Sequence, residues 1–353
     1  MILLLFLISL TLFIIGAVLY LRIEEQKKHA YHLSRSDQNP TLSPLQHSHF
    51  EAIATFNPAA YLDESGTVHL LYRAIGGDGQ SRIGYAASAD GLSVDERWFY
   101  PVFAMNSPRR PKVIAYDPAV YTSGGSWGGC EDPRVVRIEE RIYLTFNAFD
   151  GWDHIRIGVS SITDEDFVAR RWNWSDPLLI SPADEPHKNW VLFPEKIGGK
   201  VAILHSITPH VQVDYVERLE DLTTGQVQIA SIFKPPARAG VWDSHLRGVG
   251  APPIRTEKGW LVLYHATQKH ESHRYKVGAM LLDLDDPTKV IACSPAPILA
   301  PDAWYENDGK PGIVYVCGAV VRDEQLLVYY GAGDKHVCIA QTPLRDLLNW
   351  MLH

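Results

Sequence analysis

The sequence predicts an all-β protein, a five-bladed β-propeller preceded by a single N-terminal transmembrane helix. Three observations carry that expectation. From about Glu51 onward, five β-rich units recur; with Pro58, Pro133, Pro194, Pro253 and Ala319 taken as equivalent, the steps between them are 75, 61, 59 and 66 residues. Each unit holds three or four short β-rich runs joined by Gly- or Asp-containing turns, with no long helical period between them. Repeated strand-turn-strand units suit a propeller, for which about 4–8 blades are usual, whereas five equivalent points do not divide evenly between two β-sandwiches. Ahead of the repeats lies an uncharged apolar run, Ile2 to Leu21.

That run reaches the roughly 20 apolar residues needed to cross a bilayer. It lacks the basic start, shorter apolar centre and small-residue cleavage site of a signal peptide. Residues 1–22 therefore read as a membrane anchor, with the lipid bilayer as partner. Arg22, Lys27 and Lys28 follow the span and no Lys or Arg precedes it, so the positive-inside rule puts the body in the cytoplasm, anchored by a single pass. Residues 23–50 are polar and read as a stalk; their His29, His32, His47 and His49 have neither Cys partners nor regular ligand spacing. Residues 51–353 form the propeller.

The body is long enough for a large core. A formal net charge of −8 and the absence of any Lys/Arg cluster argue against nucleic acid as a partner. Cys130, Cys293, Cys317 and Cys338 show no CxxC spacing and read as reduced thiols. No pattern suggests a metal or an organic cofactor.

The first unit contains Asn57-Pro58-Ala59-Ala60-Tyr61, then Val68 to Ala74 with Arg73 near its end, then Arg82 to Ser88. The second contains Gly128-Gly129-Cys130-Glu131-Asp132-Pro133-Arg134, then Arg141 to Ala148, then Arg156 to Ser161. Pro133 cannot donate to a ladder, so it belongs at the first residue of a strand or on an edge, leaving Glu131 and Asp132 at the strand's entrance. Phe193-Pro194-Glu195 and Val201 to Ser206 mark the third unit, Ala251-Pro252-Pro253-Ile254 and Gly259 to Ala266 the fourth, Cys317-Gly318-Ala319 and Leu326 to Ala332 the fifth. In a propeller the first strand of each blade lines the central channel. Asn57, Glu131, Asp132 and Glu195 would then gather round one axis, and the blade-terminal turns would add Arg73, His205, His265 and Asp334. Carboxylates, arginines and histidines, with aromatic rims such as Trp152, Trp190, Trp242 and Tyr264, suit a sugar.

The motifs Gly129-Cys130-Glu131-Asp132-Pro133-Arg134, Leu192-Phe193-Pro194-Glu195-Lys196-Ile197, Gly250-Ala251-Pro252-Pro253-Ile254, Met280 to Val290 and Tyr329-Tyr330-Gly331-Ala332-Gly333-Asp334, in that order, resemble glycoside hydrolase family 130. That resemblance spans about Asn57 to Leu348. It implies a five-bladed propeller acting with inversion on β-mannosides, as phosphorylase or mannosidase, with a β-mannoside oligosaccharide or glycan as ligand. It also implies that Asp132 is the acid, passing its proton to the departing oxygen through a sugar hydroxyl, and that Asn57, Arg73, His265 and Asp334 hold the sugar. A carboxyl acid must be kept protonated near neutral pH, and Glu131 together with burial would raise the Asp132 pKa.

Two departures bear on the acceptor. The family's phosphorylases carry an arginine after the third-blade histidine, where this chain has His205-Ser206. They also place a basic residue two positions after Trp-Asp-Ser, where this chain has Leu246, with Arg247 one further on. A dianion wants charge-assisted donors, and Lys188 remains as a phosphate contact. The balance tips toward water, an inverting glycosidase, with Asp214 as base and Glu195 as its alternative; that base must stand about 6.5–9.5 Å from the acid. A β-1,2- or β-1,4-mannooligosaccharide phosphorylase using inorganic phosphate is the alternative function, and a non-catalytic glycan-binding propeller the second.

Overall fold

In the computed structural model the described residues are 31–105, 126–150, 155–225, 227–232 and 241–353. Their β-rich runs form strands in the expected groups. The first, β1 (Ser34–Arg35), belongs to the last blade. Blade one is β2 (Ala54–Leu62), β3 (Val68–Ile75), β4 (Gln80–Ser88) and the short β5 (Glu96–Arg97); blade two is β6 (Gly128–Ile138), β7 (Arg141–Phe149), β8 (Arg156–Thr163) and β9 (Leu178–Leu179). A two-residue parallel pairing of β4 with β6 joins these two blades into one eight-stranded sheet. Blade three has β10 (Val191–Leu192), β11 (Val201–Ser206) and β12 (Gln212–Val216). Blade four has β13 (His245–Val249) and β14 (Ile254–Thr256), which both pair with β15 (Gly259–Gln268), followed by β16 (Glu271–Leu282) and β17 (Val290–Cys293). Blade five is β18 (Val314–Arg322), β19 (Gln325–Ala332) and β20 (His336–Pro343), completed by β1.

Five apolar clusters, one between each neighbouring pair of blades, close these units into a ring. Leu71 and Tyr85 meet Ile142 and Leu144 between blades one and two, Ile157 meets Ile203 between two and three, and Phe193 packs edge-on against Trp260 between three and four. Leu263 and Val277 meet Val316 and Val328 between four and five, and Leu70 and Tyr72 meet Leu327 and Tyr329 between five and one. The recurring Arg-Ile-Gly and Lys-Val-Gly triplets have a packing reason. Gly84, Gly158 and Gly278 sit directly across from Tyr72, Phe146 and Tyr264, and a Cβ there would stand 2.5, 2.3 and 2.5 Å from the facing ring.

Three expectations need correction. Among the described residues no helix is long and apolar enough to cross a membrane; the longer of the two described α-helices, Leu344–Leu352, has nine residues and packs Leu347, Leu348 and Met351 into the core. The spanning helix, the bilayer partner and the membrane-anchored, single-pass location are therefore not supported, and residues 1–22 lie outside the described ones. Of the stalk expected over 23–50, the part from Leu33 onward is instead built into the ring, and residues 23–30 lie outside the described ones. Leu33, Leu42 and Phe50 are buried, β1 pairs with β20, and Arg35 grips the buried Glu306 at 2.8 Å. Glu131 and Asp132, finally, stand inside β6 and not at its entrance. Glu131 pairs with Asn147 and Arg134 with Thr145, so Asp132-Pro133 bulges out of the ladder, where Pro133, with no N–H, has no partner to miss.

Candidate active site

The inner strands break their register at one level. In blade one the bulge is Asn57-Pro58, in blade two Asp132-Pro133, in blade four Arg247, and in blade five Cys317. Asn57 and Asp132 take left-handed backbone conformations, φ 48° and 49°. Such conformations cost a non-glycine residue about 1–3 kcal/mol and persist where the surroundings over-determine them. Here the two bulges turn an amide and a carboxylate toward each other, and Asn57 Nδ2 donates to Asp132 Oδ1 at 2.7 Å.

Arg73 completes the cluster. Its Nη1 donates to Asp132 Oδ1 at 3.2 Å, its Nη2 to Glu131 Oε1 at 2.8 Å and to Ser126 Oγ at 2.9 Å, and its Nε to Ser81 Oγ at 2.9 Å. Asn147 Nδ2 reaches the other Asp132 oxygen at 3.3 Å. Glu131 is fully buried behind the cavity, where it holds Arg73 on one oxygen and Lys188 on the other at 3.2 Å. It positions cations and does not reach the cavity wall. Arg134 donates to the Gly250 carbonyl and to Asn189 Oδ1, which also accepts from Tyr315 Oη at 3.0 Å, tying blades two, four and five together at the axis.

A cavity of about 610 Å³ opens over this cluster, lined by Asn57, Arg73 and Asp132 together with Lys188, Arg247, Lys310 and Asp334. Trp190, His187, His205 and Tyr315 complete much of its wall. Of the remaining candidates, Glu195 is excluded: its side chain is 51% exposed and pairs with Arg255. His265 is excluded as a direct sugar contact. It is fully buried, accepts the Val316 N–H at 2.9 Å, and stacks under the Tyr315 ring at 3.8 Å, so Tyr315 and not His265 faces the cavity. Asp214 does not line the cavity either; its carboxylate, 50% exposed, lies 3.0 Å from His205 Nε2. Trp152 lies outside the described residues, and Trp242 packs on Tyr264.

Electrostatics reverse one expectation. Burial pushes the Asp132 pKa up, but Arg73, Lys188 and Arg134 together with the Asn57 hydrogen bond outweigh it and hold it below the ordinary carboxylate range. Glu131, whose charge should have raised it, is matched by Arg73 and Lys188. Those charges favour the Asp132 carboxylate, and a ligand that offsets the cations would favour its protonated form. Asp334 goes the other way: burial raises its pKa, against the pull of Lys310 and Arg73. Among the described residues no group of three or more His, Cys, Asp or Glu side chains could hold a metal ion.

Sequence reasoning missed Asn147, Asn189, Tyr315, Lys310 and His187. Asn147 had a signal: Arg73-Ala74, Asn147-Ala148, His205-Ser206 and His265-Ala266 occupy one position in successive units. The others come from connections between strands or, for Tyr315, from a strand position that the repeats do not share.

A family model described as beta-1,4-mannooligosaccharide phosphorylase matches residues 25–353. Over 323 residues the chain is 33% identical to a 1,2-beta-oligomannan phosphorylase of Thermoanaerobacter sp., a match covering 89% of this chain and 98% of that one. It is 32% identical over 324 residues to a beta-1,2-mannobiose phosphorylase of the same organism, covering 88% and 97%. Among solved structures, the beta-1,2-mannobiose phosphorylase of Listeria innocua in complex with beta-1,2-mannobiose superposes with a TM-score of 0.68 over 90% of this chain and 99% of that one. Its sequence identity is 23%, a likeness of fold.

Proposed function

Because the chain belongs to glycoside hydrolase family 130, whose members are enzymes acting on mannosides, we propose that it is an inverting β-mannoside phosphorylase that takes β-1,2-linked mannooligosaccharides and inorganic phosphate. The two relatives matched over nearly their whole length are phosphorylases named for β-1,2 linkages.

The wall of the cavity carries this reading over hydrolysis. Activating water takes a second carboxylate, and the lining carboxylates among the described residues are Asp132 itself and Asp334, which sits 3.5 Å from Lys310. Asp214 and Glu195, the bases expected for a glycosidase, are not in it. Cations are: Arg73, Lys188, Arg247 and Lys310 supply the charge-assisted donors a dianion needs without an arginine at position 206. The Ser206 hydroxyl is turned to the Thr208 carbonyl at 2.9 Å and offers no substitute.

In the reaction, phosphate attacks the anomeric carbon of the terminal mannosyl unit from the face opposite the aglycone. The C1–O bond to the leaving sugar breaks, a C1–O–P bond forms, and Asp132 supplies the proton to the departing oxygen by way of a sugar hydroxyl. Asn57 and Arg73 hold the Asp132 carboxylate in place, and Asp334 faces the same subsite. Phosphate also serves the acid: a dianion beside Arg73 and Lys188 offsets the charges that hold Asp132 ionised and so favours its protonated form. Incubation with β-1,2- and β-1,4-mannobiose, with and without phosphate, tests this. Mannose-1-phosphate released from the β-1,2 substrate only when phosphate is present is the expected result, and free mannose in its absence would return the enzyme to the hydrolases.

A further inference from the structure

We propose that Asp214 is a positioning residue, which fixes the His205 ring so that its Nδ1 accepts a hydrogen bond from a ligand hydroxyl in the cavity. The pair arises from strand geometry. Asp214 on β12 stands opposite Ile203 on β11, and His205 is the bulged residue between the Leu204–Val213 and Ser206–Gln212 pairs of the same ladder, which brings the two side chains together at 3.0 Å. A carboxylate only accepts, so the imidazole nitrogen facing it, Nε2, carries the hydrogen. In a neutral ring Nδ1 then holds the lone pair.

The neutral form of the ring is favoured. Burial lowers the His205 pKa and neighbouring His187 lowers it further, against the pull of Asp214. Its Nδ1 is buried without a hydrogen-bond partner among the described residues, although His205 lines the cavity. A buried acceptor left unmade costs about 1–3 kcal/mol, so the site is built for a donor that arrives with the ligand. Such a donor is a protonated oxygen, either a sugar hydroxyl or the P–OH of monohydrogen phosphate. Half-exposed and outside the cavity wall, Asp214 acts through His205 and does not touch the reacting atoms.

The inference rests on the phosphorylase reading only in its choice of probes. Calorimetric titration of β-1,2-mannobiose and, separately, of inorganic phosphate into the wild-type, Asp214→Ala, Asp214→Asn and His205→Ala proteins tests it. Asp214→Ala and His205→Ala are expected to weaken one of the two ligands by about 3- to 10-fold, the worth of one neutral hydrogen bond. Loss in the mannobiose arm identifies a sugar hydroxyl, and loss in the phosphate arm a P–OH. Asp214→Asn, whose amide oxygen still accepts from Nε2–H, is expected to stay within about twofold of wild type. Unchanged affinity for both ligands in the alanine variants would overturn the proposal, as would Asp214→Asn binding as weakly as Asp214→Ala. Should His205→Ala fail to fold, the two variants at the half-exposed Asp214 decide alone. Failure of the enzyme to make mannose-1-phosphate would refute the phosphorylase reading without touching these binding results.

Discussion

Asp132 is a buried carboxylate surrounded by donors: Asn57, Arg73 and Asn147 all reach it, and its left-handed backbone is held in a bulge. A group so enclosed is positioned before substrate arrives, and the Arg73 guanidinium that helps position it stacks over Phe56 at 4.7 Å. Asp132→Asn keeps the shape and removes the proton. General acid catalysis is worth about 10²- to 10⁴-fold, so phosphate-dependent release of mannose-1-phosphate is expected to fall by that factor in protein whose circular dichroism shows it folded, with a lowered thermal midpoint because the buried Arg73 loses a carboxylate partner. Full activity in that variant would remove Asp132 from the mechanism.

At the scale of the strand, the recurring glycine is the most economical device in the sequence. Each lets an aromatic side chain of one strand lie across the backbone of the next, as Phe146 does over Gly158, and the ring then fills space that a side chain on the glycine would occupy. Gly158→Ala places a methyl 2.3 Å from the Phe146 ring, in a blade interior with little room to yield. Overpacking of this kind costs about 1–3 kcal/mol, and urea unfolding is expected to show a loss of that size. The equivalent change at Gly66, whose added Cβ would meet nothing within 4 Å, is instead strained by its φ of +86°. A comparison of the two separates crowding from backbone strain.

Across the whole molecule, the ring is acid-sensitive through its buried histidines. His265 is pushed by burial from 6.5 down to about 3, and burial also lowers His69, His187 and His205. Between those values the unfolded chain binds protons that the native state refuses, so stability rises with pH. The contribution is complete above about pH 6.5 and is lost as the pH falls toward 3, at a limiting slope of about 1.4 kcal/mol per pH unit for one fully depressed group. Denaturant midpoints at pH 7 and pH 5 are expected to show that fall, with a shallower one in His265→Gln. Equal slopes in the two proteins would mean that His265 does not titrate differently in the folded and unfolded states.

The β-rich units, their five-fold repeat and the cavity-lining Arg73, His205 and Asp132 were legible in the chain, because alternation, turn residues and X-Pro punctuation are local and recur from blade to blade. Local pattern could not say which side of a strand faces the axis. His265 occupies the repeat position of the cavity-lining Arg73 and His205 yet stacks beneath Tyr315, and Glu195, beside a repeat proline, turns to Arg255 at the surface. Nor could it supply the charge on Asp132, which depends on Arg73 and Lys188 arriving from other stretches of chain, or the partner of Asp214, which is set by the register of β11 on β12. A single chain determines spacing and residue type. Only closure of the ring decides which groups share a low-dielectric cavity, and it is their mutual field, summed over side chains distant in sequence, that makes a carboxylate an acid, an anchor or a bystander.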